Sequence, residues 1–185
     1  MHRIGGFGSL ETKFRGFDGE LAVREGAEIS GYASLFGAAD QGGDVVQKGA
    51  YGASLARLAK ARSGVKMLWQ HDPTRPIGVW DEVREDARGL WVKGRLLLDV
   101  QAAREAWVLL EAGAIDGLSI GYRTVRSEKS ASGQRLLHEV ELWEVSLVTF
   151  PMLPEARVES DPSDAEAALA RTLAESFREA RALMA

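Results

Sequence analysis

The chain has 185 residues, of which 23 are Lys or Arg and 27 are Asp or Glu, and it contains no cysteine. This length suits one domain that buries a core without metals or disulfides, and the lack of cysteine excludes thiol catalysis and zinc–thiolate sites. The sequence has neither a long apolar run nor the apolar core of a signal peptide, which predicts a soluble cytoplasmic protein without a membrane partner. The formal net charge of −4 argues against a nucleic acid as partner.

The N-terminal part of the chain begins with glycine-rich sequence and then becomes strand-like. Residues 1–27 predict a loosely held segment, in which Leu10 to Phe17 alternates as a short edge strand would. From Glu28 to Leu35, apolar or small residues alternate with serine and tyrosine, which indicates a half-buried strand. Three elements are expected next: a turn-rich segment at 37–43, an extended connector at 44–51 and a short helix from Ser54 to Arg62.

The next predicted strand ends in a histidine. Val65 to His71 is apolar, and Pro73 biases Asp72 away from helix, so His71 is expected at the C-terminal end of this strand. After it, two runs of alternating apolar and polar residues are joined by a turn that contains a glycine, which predicts a β-hairpin. An aspartate after the hairpin can serve as an N-cap and so predicts the start of a helix. The hairpin strands are Ile77 to Arg84 and Leu90 to Leu98, and the helix runs from the cap Asp99 to about Ala112.

A serine between two glycines begins the C-terminal half of the sheet. A strand is predicted from Leu118 to Arg126 and a second from Leu136 to Phe150, with a polar turn between them. Ser119 lies in the motif Gly117-Leu-Ser-Ile-Gly121 at the start of the first strand. From Asp161 onward, apolar residues recur at helical spacing, so a C-terminal amphipathic helix is predicted.

The G-x-S-x-G pattern matches the nucleophile elbow of the α/β-hydrolases, but its context differs. That elbow requires a strand before the serine and a helix after it, whereas here a helix precedes Ser119 and a strand follows it. The α/β-hydrolase fold is therefore rejected. The two glycines would still allow backbone to approach the serine closely.

A serine nucleophile needs a base, and the chain has three histidines, His2, His71 and His138. His71 is preferred because the end of a strand beside a proline can hold a side chain and leave it accessible. Regular alternation along the last strand puts Glu144 on the face of Leu142, as an acid among buried companions that would need a partner. The group that orients His71 is left open among Asp72, His138, Glu139, Glu141 and Glu144.

Five blocks follow one another along residues 28 to 158. They are Gly31-Tyr-Ala-Ser-Leu-Phe36, Asp44 with Gly49-Ala-Tyr51, Leu68-Trp-Gln-His-Asp72 with Pro76-Ile-Gly78, Gly117-Leu-Ser-Ile-Gly-Tyr122, and Leu142-Trp-Glu-Val-Ser-Leu-Val-Thr-Phe-Pro151. In this order they resemble the prohead maturation proteases of tailed bacteriophages, and the set is far more specific than the serine motif alone.

The resemblance implies an α+β fold similar to that of the herpesvirus capsid-maturation proteases: a mostly antiparallel β-barrel flanked by helices. It implies a protease domain at residues 28–158, preceded by the loosely held segment 1–27 and followed by the helical tail 159–185. The implied activity is that of a serine endopeptidase that cleaves the scaffold or the scaffolding part of the major capsid protein, and often itself. It would act inside the assembling prohead in the cytoplasm of a bacterial host.

The resemblance also implies the site. Ser119 corresponds to the nucleophile and His71 to the base, while Glu144 falls in the slot where the herpesvirus enzymes use a second histidine, for which His138 lies too early. No metal or cofactor is implied, and a homodimer is compatible with the family. The alternative function is a non-enzymatic capsid-assembly or scaffold module on the same barrel.

Overall fold

The computed structural model of the protein describes residues 27–159. The elements of this part are β1 (Glu28–Leu35), β2 (Asp44–Val46), α1 (Gly52–Lys60), β3 (Lys66–Trp69), β4 (Asp72–Glu85), β5 (Gly89–Leu96), α2 (Gln101–Glu111), β6 (Gly117–Lys129) and β7 (Arg135–Val148). The predicted edge strand at 10–17, most of the N-terminal segment and the C-terminal helix lie outside the described residues.

The predicted strands and helices of the described part are confirmed, with shifts at their ends. β2 is a three-residue strand inside the stretch predicted as a connector. Val100 rather than Asp99 is the N-cap of α2, because a turn closed by a hydrogen bond from Val100 N–H to Leu97 C=O leaves Asp99 one residue before the cap. β4 begins at Asp72, so Pro73 lies inside a strand and does not separate two elements.

The sheet is mixed, which corrects the expectation of a mostly antiparallel barrel. Its strand order is β1-β5-β4-β3-β7-β2, and β6 pairs with the other edge of β7. β7 is the central strand: β3 and β2 both run parallel to it, and β6 runs antiparallel along its length. The parallel pairs arise because long stretches of chain separate their strands, so β7 can return in the same direction as β2 and β3.

The sheet curls until its two ends are joined by one short segment. Leu118 N–H of β6 donates to Ala156 C=O at 2.8 Å, and Glu159 N–H donates to Ser30 C=O of β1 at 2.7 Å. Gly31 permits this approach, since a Cβ atom at this position would lie 2.1 Å from the Arg157 carbonyl oxygen. Segment 156–159 therefore bridges one end of the gap between β1 and β6 in a curled half-barrel.

The core fills the inside of this curl, and the two helices pack against it. α1 is held on β7 by Ser54, whose buried hydroxyl accepts a hydrogen bond from Leu142 N–H at 3.0 Å. Neither helix of the described part is long and apolar enough to cross a membrane. The largest fully buried apolar side chains are those of Tyr51, Ile29, Met67, Ile77, Leu90, Leu110, Leu118, Leu137, Leu142, Leu147, Val92 and Val140.

Candidate active site

His71 lies in a tight turn between β3 and β4. Trp69 pairs with Asp72 across the hairpin, so Gln70 and His71 form the two-residue loop. Both have positive φ angles, 54° and 61°, which is the backbone pattern of a type I′ turn. Most side chains resist this conformation, although histidine is among the residues that adopt it more often. The turn projects His71 over the ends of β6 and β7.

Ser119 contacts His71 from β6, which is separated from β3 by β7. Ser119 lies on β6 opposite Ser146 of β7, and Ser146 in turn lies opposite Leu68 of β3. This double pairing brings the start of β6 next to the β3–β4 turn. The Ser119 Oγ atom is 2.9 Å from His71 Nε2, and Ser119 is buried, with 4% of its surface exposed.

Glu144 contacts the other ring nitrogen of His71. Its Oε1 atom is 2.5 Å from His71 Nδ1, so the imidazole lies between a hydroxyl and a carboxylate. Gly121 lies opposite Glu144 on β6. A Cβ atom at Gly121 would lie 2.1 Å from Glu144 Oε1. The second glycine of the serine motif therefore leaves the space that the carboxylate occupies.

The first glycine of the motif has a different role. A Cβ atom at Gly117 would lie 2.5 Å from the Val148 carbonyl oxygen and 2.8 Å from Pro151 Cδ. The G-x-S-x-G pattern thus reflects two close approaches between β6 and its neighbours. As predicted, a strand and not a helix follows the serine, so the motif does not form a nucleophile elbow.

A β-bulge in β7 determines where Glu144 lies. Gly121 pairs with Glu144 and Tyr122 pairs with Leu142, which leaves Trp143 as an extra residue that is 56% exposed. Leu142 therefore lies in the core, while Glu144 faces His71. The prediction that Leu142 and Glu144 share one face is wrong, because the bulge interrupts the alternation on which it depended.

Ser146 is a member of this cluster that the sequence reasoning missed. Its hydroxyl accepts a hydrogen bond from His71 N–H at 3.2 Å and donates one to Glu144 Oε2 at 2.5 Å. The side chain is fully buried. The available signal was its position two residues after Glu144, which puts both side chains on the same face of β7.

The other candidates for the third group have other partners or positions. Glu141 accepts hydrogen bonds from Arg57 and Arg123, and the bonds from Arg123 hold the pKa of the Glu141 carboxyl below its usual value. His138 Nε2 lies 3.0 Å from a carboxylate oxygen of Glu128. Asp72 accepts hydrogen bonds from Thr74, and Glu139 pairs with Arg126 across the sheet. Glu144 is thus the candidate that contacts the His71 ring.

A cleft of about 490 Å³ lies beside Ser119, between β1, β2, β6 and the loop at 37–43. On its wall, Asp44 accepts hydrogen bonds from the Arg135 guanidinium and, at 2.8 Å, from the Tyr122 hydroxyl. The bonds from Arg135 hold the pKa of Asp44 below its usual value, although burial opposes this shift. This pair fixes the beginning of β7 to β2. In residues 27–159, no cluster of three or more His, Asp or Glu side chains could hold a metal ion.

Comparison with known proteins identifies relatives in phages. A prohead protease of Enterobacteria phage HK97 is 30% identical over 155 residues, which are 82% of this chain and 65% of that protein. A capsid polyprotein of Pseudomonas phage PAJU2 is 31% identical over 110 residues, which are 55% of this chain and 16% of the polyprotein. The chain therefore spans less than two thirds of the length of each of these relatives.

Two solved structures of viral proteases match this chain at low sequence identity. The bacteriophage T4 capsid assembly protease matches with a TM-score of 0.53 at 12% identity, over 65% of this chain and 81% of that one. The varicella-zoster virus protease matches with a TM-score of 0.42 at 13% identity, over 71% of this chain and 62% of that one. The T4 match shows a similar fold over the matched part of the chain.

A family model also matches most of the chain. The model described as caudovirus prohead serine protease matches residues 18–171, a range that contains all five sequence blocks. This confirms the resemblance drawn from those blocks. The chain belongs to the caudovirus prohead serine protease family.

Proposed function

We propose that this protein is a serine endopeptidase that cleaves the scaffold, or the scaffolding part of the major capsid protein, inside the assembling prohead. The observation that carries the proposal is the pair of contacts made by His71, with Ser119 Oγ at 2.9 Å and with Glu144 Oε1 at 2.5 Å. A hydroxyl, an imidazole and a carboxylate in this order form a triad that can perform nucleophilic serine catalysis.

In the proposed reaction, His71 Nε2 takes the proton of Ser119 as its oxygen attacks the scissile carbonyl carbon. The acyl–enzyme forms when the leaving amine takes that proton from His71, and water then releases the acyl group by the same route. Glu144 holds the Nδ1–H tautomer and stabilises the imidazolium that forms between these steps. Backbone N–H groups near Ser119 are the proposed donors to the oxyanion.

The edge of β6 beside the cleft is suited to an extended peptide. Leu118 N–H donates to Ala156 across the edge that faces away from β7. Strand N–H groups alternate in direction, so Ile120 N–H faces the same edge. In the described part of the chain, no strand pairs with this edge beyond Leu118. A substrate could therefore bind as an added strand that passes Ser119.

The partners and location in this proposal come from the relatives. The HK97 relative is named a prohead protease, the PAJU2 relative a capsid polyprotein and the T4 structure a capsid assembly protease. By analogy, the substrate is the major capsid protein with its scaffolding region, and the site of action is the prohead in the host cytoplasm. Self-cleavage, a homodimer and a separate C-terminal helical tail are further parts of the proposal.

Co-expression with the major capsid protein from the same genome tests the activity. Intact-mass measurement is expected to find shortened capsid protein with the wild type and full-length protein with Ser119→Ala. If both capsid products are full length, the protease function is contradicted and the non-enzymatic scaffold function is favoured. If cleavage survives Ser119→Ala but not His71→Ala, the nucleophile is wrongly chosen.

A further inference from the structure

Ser146 closes a ring of hydrogen bonds that also contains His71 and Glu144. The ring runs from His71 N–H to Ser146 Oγ, from the Ser146 hydroxyl to Glu144 Oε2, and from Glu144 Oε1 back to His71 Nδ1. The Glu144 carboxylate is therefore hydrogen-bonded directly to the His71 imidazole, and it is linked to the His71 backbone N–H through the Ser146 hydroxyl. Such a ring restricts the histidine and the carboxylate together.

Both partners of Ser146 need this restraint. His71 has a φ angle of 61° in a two-residue turn, a left-handed conformation that is less favourable for a residue with a Cβ atom than for glycine and is stabilised by its surroundings. Glu144 is a buried carboxylate, with 8% of its surface exposed, and each of its oxygens needs a donor. Ser146 supplies the acceptor for the first group and the donor for the second.

We infer that Ser146 is a positioning residue of the active site, which keeps the His71 ring aimed at Ser119 by holding its backbone and Glu144 in one network. This inference rests on the proposed function. Ser146 acts through the other two residues and takes no proton in the reaction. The competing explanation is that position 146 only requires a small side chain, since it is fully buried between β3 and β6.

The chain offers a matched control for the loss of a buried hydroxyl. Ser54 is 1% exposed, and its hydroxyl accepts a backbone hydrogen bond from Leu142 N–H at 3.0 Å. It lies on α1 and contacts none of His71, Ser119 or Glu144 through its hydroxyl. Ser54→Ala and Ser146→Ala therefore remove the same group from similarly buried positions, and only the second change touches the network.

The test measures cleavage of a peptide that spans the site identified in the processed capsid protein. For Ser146→Ala, kcat is expected to fall about 10- to 100-fold, as loss of a hydrogen bond to a charged group would cause. KM should stay within about twofold of the wild-type value, because Ser146 does not contact the peptide edge. Ser54→Ala should lower the melting temperature and leave kcat unchanged. Equal kcat for Ser146→Ala and Ser54→Ala would overturn the inference.

Two further measurements keep the test decisive. If Ser146→Ala does not fold, Ser146→Cys fills the position with a side chain of the same shape and a slightly larger end atom. Its thiol is only a weak donor and acceptor, so the same loss of kcat is expected; unchanged kcat would contradict the inference. Proton NMR of the wild type should show the far-downfield resonance of the His71 Nδ1 proton, which should shift or broaden in the Ser146 variants and not in Ser54→Ala.

These measurements separate the two possible failures. If the wild type cleaves nothing and Ser119 does not react with a fluorophosphonate, the proposed function fails, while the NMR comparison still tests whether Ser146 orders His71. If the wild type cleaves and reacts, and Ser146→Ala matches it in kcat and in the resonance, the positioning role alone fails.

Discussion

Gly121→Ala is the most informative single change, because it adds one methyl group at the carboxylate of the candidate site. The new Cβ atom would lie 2.1 Å from Glu144 Oε1 and 2.7 Å from Glu144 Cδ. Carbon and oxygen atoms without a bond between them need about 3.2 Å or more, so the carboxylate must move by roughly 1 Å. A shift of this size directed away from the imidazole lengthens the 2.5 Å distance between His71 Nδ1 and Glu144 Oε1 to near 3.5 Å, the limit of a hydrogen bond.

The expected effect is mainly on the rate. A displacement of about 1 Å in an active site can cost about 100-fold in rate, which corresponds to about 2.7 kcal/mol in the activation free energy. The change should also lower the free energy of unfolding by about 1–3 kcal/mol, since it overpacks a close contact between two strands. We therefore expect kcat/KM for the peptide to fall about 100-fold in a variant that remains folded at 25 °C.

Gly94→Ala is the matched control. A Cβ atom at Gly94 would lie 2.3 Å from the Val79 carbonyl oxygen and 2.8 Å from the Trp80 ring, in the β4–β5 pair. This variant should be destabilised at least as much as Gly121→Ala and keep its kcat/KM once folded. Circular dichroism measures stability, and peptide cleavage measures kcat/KM in the same samples.

A double-mutant comparison locates the effect at Glu144. If Gly121→Ala acts by displacing this carboxylate, then Gly121→Ala combined with Glu144→Gln should be about as slow as Glu144→Gln alone. Additive losses, or a Gly121→Ala variant within threefold of wild-type kcat/KM, would refute the reasoning.

Two other predictions concern acidic residues on β7 and β2. Glu144→Gln should lower kcat/KM about 10³- to 10⁴-fold. Glu141→Gln should keep kcat/KM within about twofold of wild type, because the Glu141 carboxylate binds arginines at the surface. Equal losses in peptide cleavage would contradict the choice of Glu144. Arg135 lowers the pKa of Asp44 in the folded state, so the ionised Asp44 side chain adds to the free energy of unfolding. This contribution is complete above the unfolded pKa of about 3.9, and it is lost as the pH falls through the lower pKa of the folded state. Thermal unfolding from pH 5 to pH 2 should therefore show a smaller loss of stability for Asp44→Asn than for the wild type, and parallel curves would argue against the ion pair.

Much of the secondary structure follows from local pattern. The alternation from Glu28 to Leu35 predicts β1, and the apolar spacing of Leu55 and Leu58 predicts the buried side of α1. Both signals are properties of a few neighbouring residues, and tertiary packing did not override them. Element ends moved by one or a few residues because capping and turn bonds, such as that of Val100 with Leu97, depend on the surrounding backbone.

The sequence by itself determined the family, through ordered blocks, and it singled out Ser119 and His71 as candidates. It could not determine the face of β7 on which Glu144 lies, since regular alternation places this residue on the same face as Leu142. That assignment was decided by the bulge at Trp143, which arises from the register between β6 and β7 and leaves no local sequence signal.

The tertiary structure alone decided the remaining relations within the site. The parallel pairing of β3 with β7 brings His71 beside Ser146, which is 75 positions away in the chain. In the sequence, Gly121 is the second glycine of a pattern that matches the hydrolase elbow. In the structure, its lack of a side chain leaves the space that the Glu144 carboxylate occupies. Contacts of this kind depend on how strands distant in the chain align, so they follow from strand register and not from residue type or spacing.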